Sequence, residues 1–143
     1  MKKYNIIALF IFVSGILSTN AQTIIGKWKT IDDETGNEKS IVEIFQENGK
    51  VYAKIIQLLE KDKEDKLCDL CSGSKKNKPV KGMTIIDDLT KNGNEWSGGK
   101  ILDPKTGKEY KCYISLEGAN KLKVRGFIGF ALLGRTQYWH KVN

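Results

Sequence analysis

The chain has 143 residues, of which 29% are charged and 40% hydrophobic, and its formal net charge is +7. This length predicts one domain, and this balance of residues excludes a disordered acidic tail and a polytopic membrane protein. Only one histidine is present, His140, which excludes a histidine-rich zinc site.

The N-terminal residues follow the pattern of a secretory signal peptide. Lys2 and Lys3 supply a positive start, residues 6–13 are continuously apolar, and small residues precede a cleavage point after Ala21. The apolar run is too short to cross a bilayer. We therefore expect residues 1–21 to be removed as a signal peptide.

The mature domain, residues 22–143, is expected to be soluble and either periplasmic or secreted. Its first cysteine is Cys68, so no lipid acceptor follows the cleavage point and we expect no stable membrane anchor. Acidic residues are interleaved with the lysines, which argues against a nucleic-acid partner because that function needs a basic face with exposed aromatic residues.

Strands and tight turns are predicted along nearly the whole mature chain. Polar and apolar side chains alternate in most segments, Asn48-Gly49 is typical of a type I′ hairpin, and Gly98-Gly99 predicts a bulge or sharp bend. Residues 60–80 form the one long irregular segment. We predict strands at residues 24–31, 40–46, 51–59, 82–89, 95–102, 109–116, 121–128 and 135–142. Eight strands with short connections favour an all-β fold, a single antiparallel up-and-down β-barrel.

The chain has three cysteines, so in an exported protein at most two of them can pair in an intramolecular disulfide and one stays unpaired. We favour a disulfide between Cys68 and Cys71 that staples a loop, with Cys112 buried as a small apolar residue. A redox site is the second interpretation of this C-x-x-C. A metal site formed by the three cysteines and His140 is the third, and it needs all four to come together.

Several segments resemble known families. Gly26-Lys27-Trp28 resembles the G-x-W signature of lipocalins (calycins), which implies a lipocalin-like barrel closed at one end by Trp28. In that superfamily a basic side chain of the last strand packs across the tryptophan as a cation–π pair. Arg135 is the residue that we match to this role, and Lys141 is the second choice.

Longer segments resemble a secreted bacterial family called domain of unknown function 2147. They are residues 103–110, 122–129 and 133–139, and Cys68-Asp69-Leu70-Cys71 lies where that family has C-D-x-C. The resemblance covers essentially the whole mature chain. It implies a lipocalin-like barrel and export, and it implies no activity.

Arginine and aromatic side chains are the candidates for a ligand site. The two-residue period places Arg135, Gln137 and Trp139 on one face of the last strand, while Arg125 and Phe127 share a face of the preceding strand. If Arg125, Arg135 and Gln137 point into the barrel, they form a cluster of cationic and amide groups beside Trp28, Trp96 and Trp139. The candidate ligand-binding residues are Trp28, Trp96, Tyr113, Arg125, Arg135, Gln137 and Trp139.

A buried guanidinium group needs a partner, because an unpaired charge is costly away from water. The partner could be internal, with Asp103 or Glu109 as examples, or it could be the carboxylate of a ligand. In a third arrangement the arginines lie outside, with their stems on apolar surface.

Catalysis has little support in this sequence. There is no G-x-S-x-G elbow and no glycine-rich phosphate loop before a helix, so we expect no catalytic residues, no cofactor and no metal. The apolar residues 127–133 are expected to be buried as a lid over one barrel end, with an exposed patch for a partner as the alternative.

Two functions remain open. The first is an exported lipocalin-type protein that binds a small hydrophobic or amphipathic ligand, with or without a carboxylate. The alternative is a sealed structural barrel that acts as an interaction module for an envelope protein.

Overall fold

A computed structural model describes residues 22–143 and shows one closed antiparallel barrel of eight strands. The strands are β1 Gly26–Ile31, β2 Glu38–Glu47, β3 Lys50–Leu58, β4 Thr84–Asn92, β5 Glu95–Asp103, β6 Lys108–Leu116, β7 Lys121–Phe127 and β8 Gly134–Lys141. Each strand pairs with the next, and β8 pairs with β1. The predicted all-β, up-and-down barrel is therefore confirmed. The predicted signal peptide lies outside the described residues.

The alternating strand directions place the connections at two ends of the barrel. Residues 32–37, 59–83, 104–107 and 128–133 lie at one end, which we call the open end. The turns at 48–49, 93–94 and 117–120 lie at the other, the closed end, together with the first residues of the described chain. Asn48 and Gly49 both have positive φ, at 51° and 76°, as the predicted type I′ turn requires.

The core fills the closed half of the barrel. Trp28, Val42, Leu89, Ile114 and Leu122 are among the side chains that are completely buried. The interior of an eight-stranded barrel is narrow enough for side chains to fill it.

The predicted bulge at Gly98-Gly99 is present as a shift in the register between β5 and β6. A Cβ atom on Gly99 would lie 1.9 Å from the carbonyl oxygen of Asp87, so this close approach of two backbones requires glycine.

The irregular segment 59–83 folds over the open end. It contains a single turn of 3₁₀ helix, Gly73–Lys75, and an isolated bridge between Leu67 and Pro79. Cys68 and Cys71 form the predicted disulfide inside this segment, and both are buried. Cys112 is buried with a free thiol. The four-ligand metal interpretation is therefore wrong, since two of its thiols are joined to each other. Within the described part of the chain, no helix is long and apolar enough to cross a membrane.

Candidate ligand cavity

A cavity of about 460 Å³ occupies the open half of the barrel. Pockets that hold small organic ligands are about 300–1,000 Å³ in volume and mainly apolar. The apolar wall includes Ile55, Leu58, Val80, Ile85, Leu102 and Trp139. The barrel is therefore not sealed by its own side chains.

Charged side chains surround the mouth of this cavity. The cations are Lys39, Lys63, Lys66, Lys105 and Arg135, and the anions are Asp32, Glu60 and Asp103. Both aspartates accept hydrogen bonds from their own turns: Asp32 from the backbone of Glu34 and Thr35, and Asp103 from the backbone of Lys105 and the hydroxyl of Thr106.

Three of the lysines at the mouth form no ion pair with any described residue. They are Lys63, Lys66 and Lys105, whereas Lys39 lies 3.9 Å from a carboxylate oxygen of Asp32. Glu60 is the only carboxylate of the mouth without a hydrogen bond within residues 22–143. The cavity lining thus carries five cations against three anions, and this excess of positive charge favours an anionic group on a ligand.

Arg135 is held by the loop that follows β1. Its guanidinium donates two hydrogen bonds to the Asp33 carboxylate, the Nη2 bond being 2.7 Å, and Nη2 lies 3.1 Å from Glu34. Gln137 Nε2 donates to the same carboxylate at 3.3 Å, and Trp139 Nε1 donates to Gln137 Oε1 at 3.4 Å. The internal partner of Arg135 is therefore Asp33, and the suggested Asp103 and Glu109 are wrong.

The pKa values of the two neighbouring aspartates are lowered for different reasons. Backbone hydrogen bonds from Thr35 and Glu34 lower the pKa of Asp32. At Asp33, partial burial raises the pKa, but the hydrogen bond and charge of Arg135 outweigh burial and leave the pKa below its usual value. Both carboxylates are ionised at neutral pH, so neither can donate a proton to a ligand there.

Two buried hydroxyl groups form a polar point on the cavity wall. Thr30 and Ser40 are each 6% exposed, and their oxygens are 2.7 Å apart. One of the two hydroxyl groups donates its proton to the other, and the second hydroxyl proton has no acceptor among the described residues. It is available to an oxygen of a bound molecule.

Three of the predicted site residues lie together in the cavity wall: Arg135, Gln137 and Trp139. Trp28 is fully buried toward the closed end, and Trp96 borders a small depression of about 200 Å³ at that end. The expected cluster of arginines beside all three tryptophans is therefore wrong, since only Trp139 adjoins Arg135 and Gln137.

The cation above Trp28 is Lys141, whose Nζ lies 5.3 Å from the ring centroid. Arg135, the residue matched to this role, begins β8 at the opposite end of the barrel. The second choice from the sequence is thus the correct one.

Arg125 and Tyr113 lie on the outer face of the barrel, so their assignment to the ligand site is wrong. For Arg125 the structure has the third arrangement, in which the arginine lies outside. Tyr113 pairs across the strands with Arg125 and packs against Phe127, with ring centroids 6.2 Å apart. The Arg125 guanidinium donates to Thr136 Oγ1 and to the carbonyl oxygens of Ala131 and Leu132, at 2.8, 2.7 and 3.3 Å. The inward side chains of β7 are Leu122 and Val124, which are buried.

The connection between β7 and β8, residues 128–133, is exposed, and the expected burial as a lid is wrong. Ile128, Phe130, Leu132 and Leu133 are 67%, 74%, 91% and 65% exposed. Ile128 and Leu133 also line the cavity. This apolar loop therefore forms one lip of the mouth.

Sequence reasoning missed the lysines of the mouth and the hydroxyl pair. Lys63 and Lys66 lie in an irregular segment rich in both charges, where no periodicity indicates a direction. Thr30 lies two residues after Trp28 and Ser40 lies two residues before Val42, and this two-residue period from an apolar side chain is a signal for an inward position.

Comparisons with known proteins agree with this architecture. The structure is similar to one described as "Protein HP1028 from the human pathogen Helicobacter pylori belongs to the lipocalin family", with a TM-score of 0.74 and 25% identity over 85% of this chain and 84% of that chain. Among curated proteins, none matches this sequence. A family model described as "Uncharacterized protein conserved in bacteria (DUF2147)" matches residues 26–141. The chain therefore belongs to the DUF2147 family and has a lipocalin-like barrel.

Proposed function

We propose that this protein binds a small amphipathic anion, with the apolar part inside the barrel and the anionic group at the lysines of the mouth. The observation that carries this proposal is the cavity of about 460 Å³, apolar in its depth and basic at its opening. A carboxylate is a suitable anionic group because ammonium groups form charge-assisted hydrogen bonds with it.

The location of the charges supports an anion over a neutral ligand. Lys63, Lys66 and Lys105 lie at the mouth and form no ion pair among the described residues, while the nearby Arg135 is already engaged by Asp33. A bound anion would compensate the lysines without breaking an existing ion pair. The cavity also favours a binding protein over the alternative of a sealed structural barrel.

The direct test is calorimetric titration with decanoate and with decanol, which share a chain and differ in the charged group. We expect decanoate to bind about tenfold more tightly, a difference typical of one charge-assisted contact. Lys63→Gln/Lys66→Gln/Lys105→Gln should remove this preference while decanol binding stays. The matched control is Lys50→Gln/Lys54→Gln/Lys91→Gln, which removes the same charge from β3 and β4 away from the mouth.

A second variant tests the location of the ligand. Ile101→Trp adds volume to the cavity wall at a residue that is only partly buried, so the fold should tolerate it. Both probes should lose affinity in this variant while circular dichroism is unchanged. Equal binding of decanoate and decanol, or binding that Ile101→Trp leaves intact, contradicts the proposal.

We also propose that the protein works outside the cytoplasm. The signal-peptide pattern of residues 1–21 supports export, and the Cys68–Cys71 disulfide is consistent with an oxidising compartment. The intact mass of protein recovered from a bacterial periplasm should correspond to a chain that begins at Gln22.

A further inference from the structure

The apolar loop, residues 128–133, reverses the usual pattern of a surface loop. Its large side chains are exposed, with Phe130 at 74% and Leu132 at 91%, while four of its six carbonyl groups accept hydrogen bonds within the protein. Leu133 N donates to Phe130 O at 2.9 Å and Ile128 N donates to Leu133 O at 3.1 Å. An ordinary exposed loop leaves its carbonyls to water and turns apolar side chains inward.

Arg125, on the outer wall of the barrel, supplies the remaining hydrogen-bond donors to the carbonyl groups of this loop. It donates to the carbonyl oxygens of Ala131 and Leu132, at 2.7 and 3.3 Å. The four consecutive carbonyls of residues 130–133 therefore all accept a hydrogen bond within the protein. These paired carbonyls lower the cost of moving this part of the loop from water to a membrane interface, because an unpaired carbonyl is costly away from water. The N–H groups of residues 129–132 have no acceptor among the described residues, so the loop suits the interface and not the hydrocarbon core.

The wall beside this loop is basic and aromatic. After Glu117 the chain contains no acidic residue. The outward side chains of β6, β7 and β8 that form this wall, which we call the basic wall, include Lys111, Tyr113, Lys121, Lys123, Arg125 and Tyr138. The acidic Glu109 of β6 lies 4.0 Å from Lys100, and Lys121 lies 3.8 Å from Glu117. Lys123 Nζ lies 5.7 Å from the Tyr113 ring and Lys121 Nζ lies 4.3 Å from the Tyr138 ring. Lys111 and Lys123 have no carboxylate partner among the described residues.

We infer that the apolar loop and the basic wall dock this protein on the surface of an anionic lipid bilayer. Phe130 and Leu132 enter the interface between headgroups and acyl chains, and Lys111 and Lys123 lie against the anionic headgroups. Tyrosine suits this depth because its ring is apolar and its hydroxyl is polar. Charge complementarity and the paired carbonyls of residues 130–133 favour a bilayer over a second copy of this chain, which would bring like charges together.

Docking in this orientation places the cavity mouth at the bilayer, because Ile128 and Leu133 belong both to the loop and to the mouth. This part of the inference rests on the proposed function: an amphipathic anion would pass between the membrane surface and the barrel without crossing bulk water. The docking itself does not depend on a ligand.

Flotation with vesicles tests the docking. The protein as expressed and processed in a bacterial cell is mixed with vesicles of phosphatidylcholine and phosphatidylglycerol in equal parts, or of phosphatidylcholine alone. We expect flotation with the anionic vesicles, weakened by salt. Phe130→Asp/Leu132→Asp should reduce it about tenfold or more, since two inserted side chains become charged.

Two matched controls separate insertion from charge. Gln46→Asp/Gln57→Asp adds the same charge at exposed positions of β2 and β3, across the barrel, and should leave flotation within about twofold. Arg125→Ala should weaken flotation more than Lys123→Ala, because both remove one positive charge and only Arg125 holds the loop carbonyls.

Three results overturn the inference. They are no flotation with anionic vesicles, equal flotation of Phe130→Asp/Leu132→Asp, and a dimer in sedimentation that this variant abolishes while vesicles bind nothing. Decanoate titration without vesicles is run on the same samples. Loss of vesicle binding with retained decanoate binding rejects the docking alone, whereas the converse rejects the proposed ligand alone.

Discussion

Arg135 and Asp33 form a two-point ion pair that joins the first residues of β8 to the loop after β1. Nη2 of Arg135 donates to Oδ1 of Asp33 at 2.7 Å, and Nε donates to the other carboxylate oxygen. Gln137 donates to the same carboxylate. The two residues are 102 positions apart in the sequence, and their ion pair holds together two segments on one side of the cavity mouth.

Replacing Asp33 should lower stability in a manner that depends on pH. Arg135 keeps the pKa of the folded Asp33 below 3.8, against the opposing effect of partial burial. A carboxyl group with a lowered pKa stabilises the fold above its unfolded pKa and loses this contribution as the pH falls through its folded pKa. Urea unfolding should show Asp33→Asn less stable at neutral pH by under about 1 kcal/mol, since the pair is half-exposed. This difference should disappear well below pH 3.8.

The control for this experiment is Asp65→Asn, which removes one exposed carboxylate that has no partner among the described residues. It should shift stability by less than about 0.5 kcal/mol at any pH. A constant deficit of Asp33→Asn down to strong acid would contradict the ion-pair explanation.

Lys141 should stabilise the closed end through Trp28. Its ammonium lies 5.3 Å from the ring centroid, and Lys141→Gln should cost about 0.5–1 kcal/mol of unfolding free energy. A double-mutant cycle with Trp28→Leu isolates the pair, because the Lys141 effect should vanish once the ring is absent. Lys50→Gln is the control, because it removes an exposed lysine at the start of β3. Additive effects of Lys141→Gln and Trp28→Leu would show that the contact has no energetic weight.

Gly107 should be the least replaceable glycine of the open end. It has a φ of 71°, and a Cβ there would lie 1.9 Å from Leu70 O, in the segment that holds the disulfide. Gly36 has a φ of 76° with no atom within 4 Å of a Cβ. Gly36→Ala should cost about 1–2 kcal/mol for the left-handed backbone alone.

Gly107→Ala should lower the free energy of unfolding clearly more than Gly36→Ala does. The added methyl group at Gly107 must also push the turn 104–107 away from the backbone of Leu70. Thermal unfolding of the two variants provides the comparison. Equal costs would mean that segment 59–83 does not depend on this contact.

Cys112 should resist alkylation in the native protein. Burial raises the pKa of its thiol to about 12, so almost no thiolate is present at neutral pH. Mass spectrometry after iodoacetamide treatment without reductant should show no adduct on native protein and one adduct after denaturation. Three adducts after denaturation would mean that Cys68 and Cys71 are reduced.

Much of the fold could be predicted from the sequence because its determinants are local. The alternation of residues 109–116 and the Asn48-Gly49 turn act over a few residues, and the structure contains both β6 and the type I′ turn. The order of the strands follows from short connections. Even the outward position of Arg125 is indicated locally, since Leu122 and Val124 occupy the alternate apolar positions of β7.

The closed barrel and its short disulfide loop were determined by the sequence itself, through alternation, turn residues and the spacing of Cys68 and Cys71. The tertiary structure alone decided that Asp33 meets Arg135, that Lys141 covers Trp28, and that Lys63 and Lys105 face one mouth. These groups are far apart in sequence. Asp33, Arg135, Lys63 and Lys105 meet because strand register and closure bring four connections to the open end, and Lys141 meets Trp28 because closure pairs β8 with β1. A two-residue period gives the side of a strand, whereas barrel closure decides which side chains from different strands become neighbours.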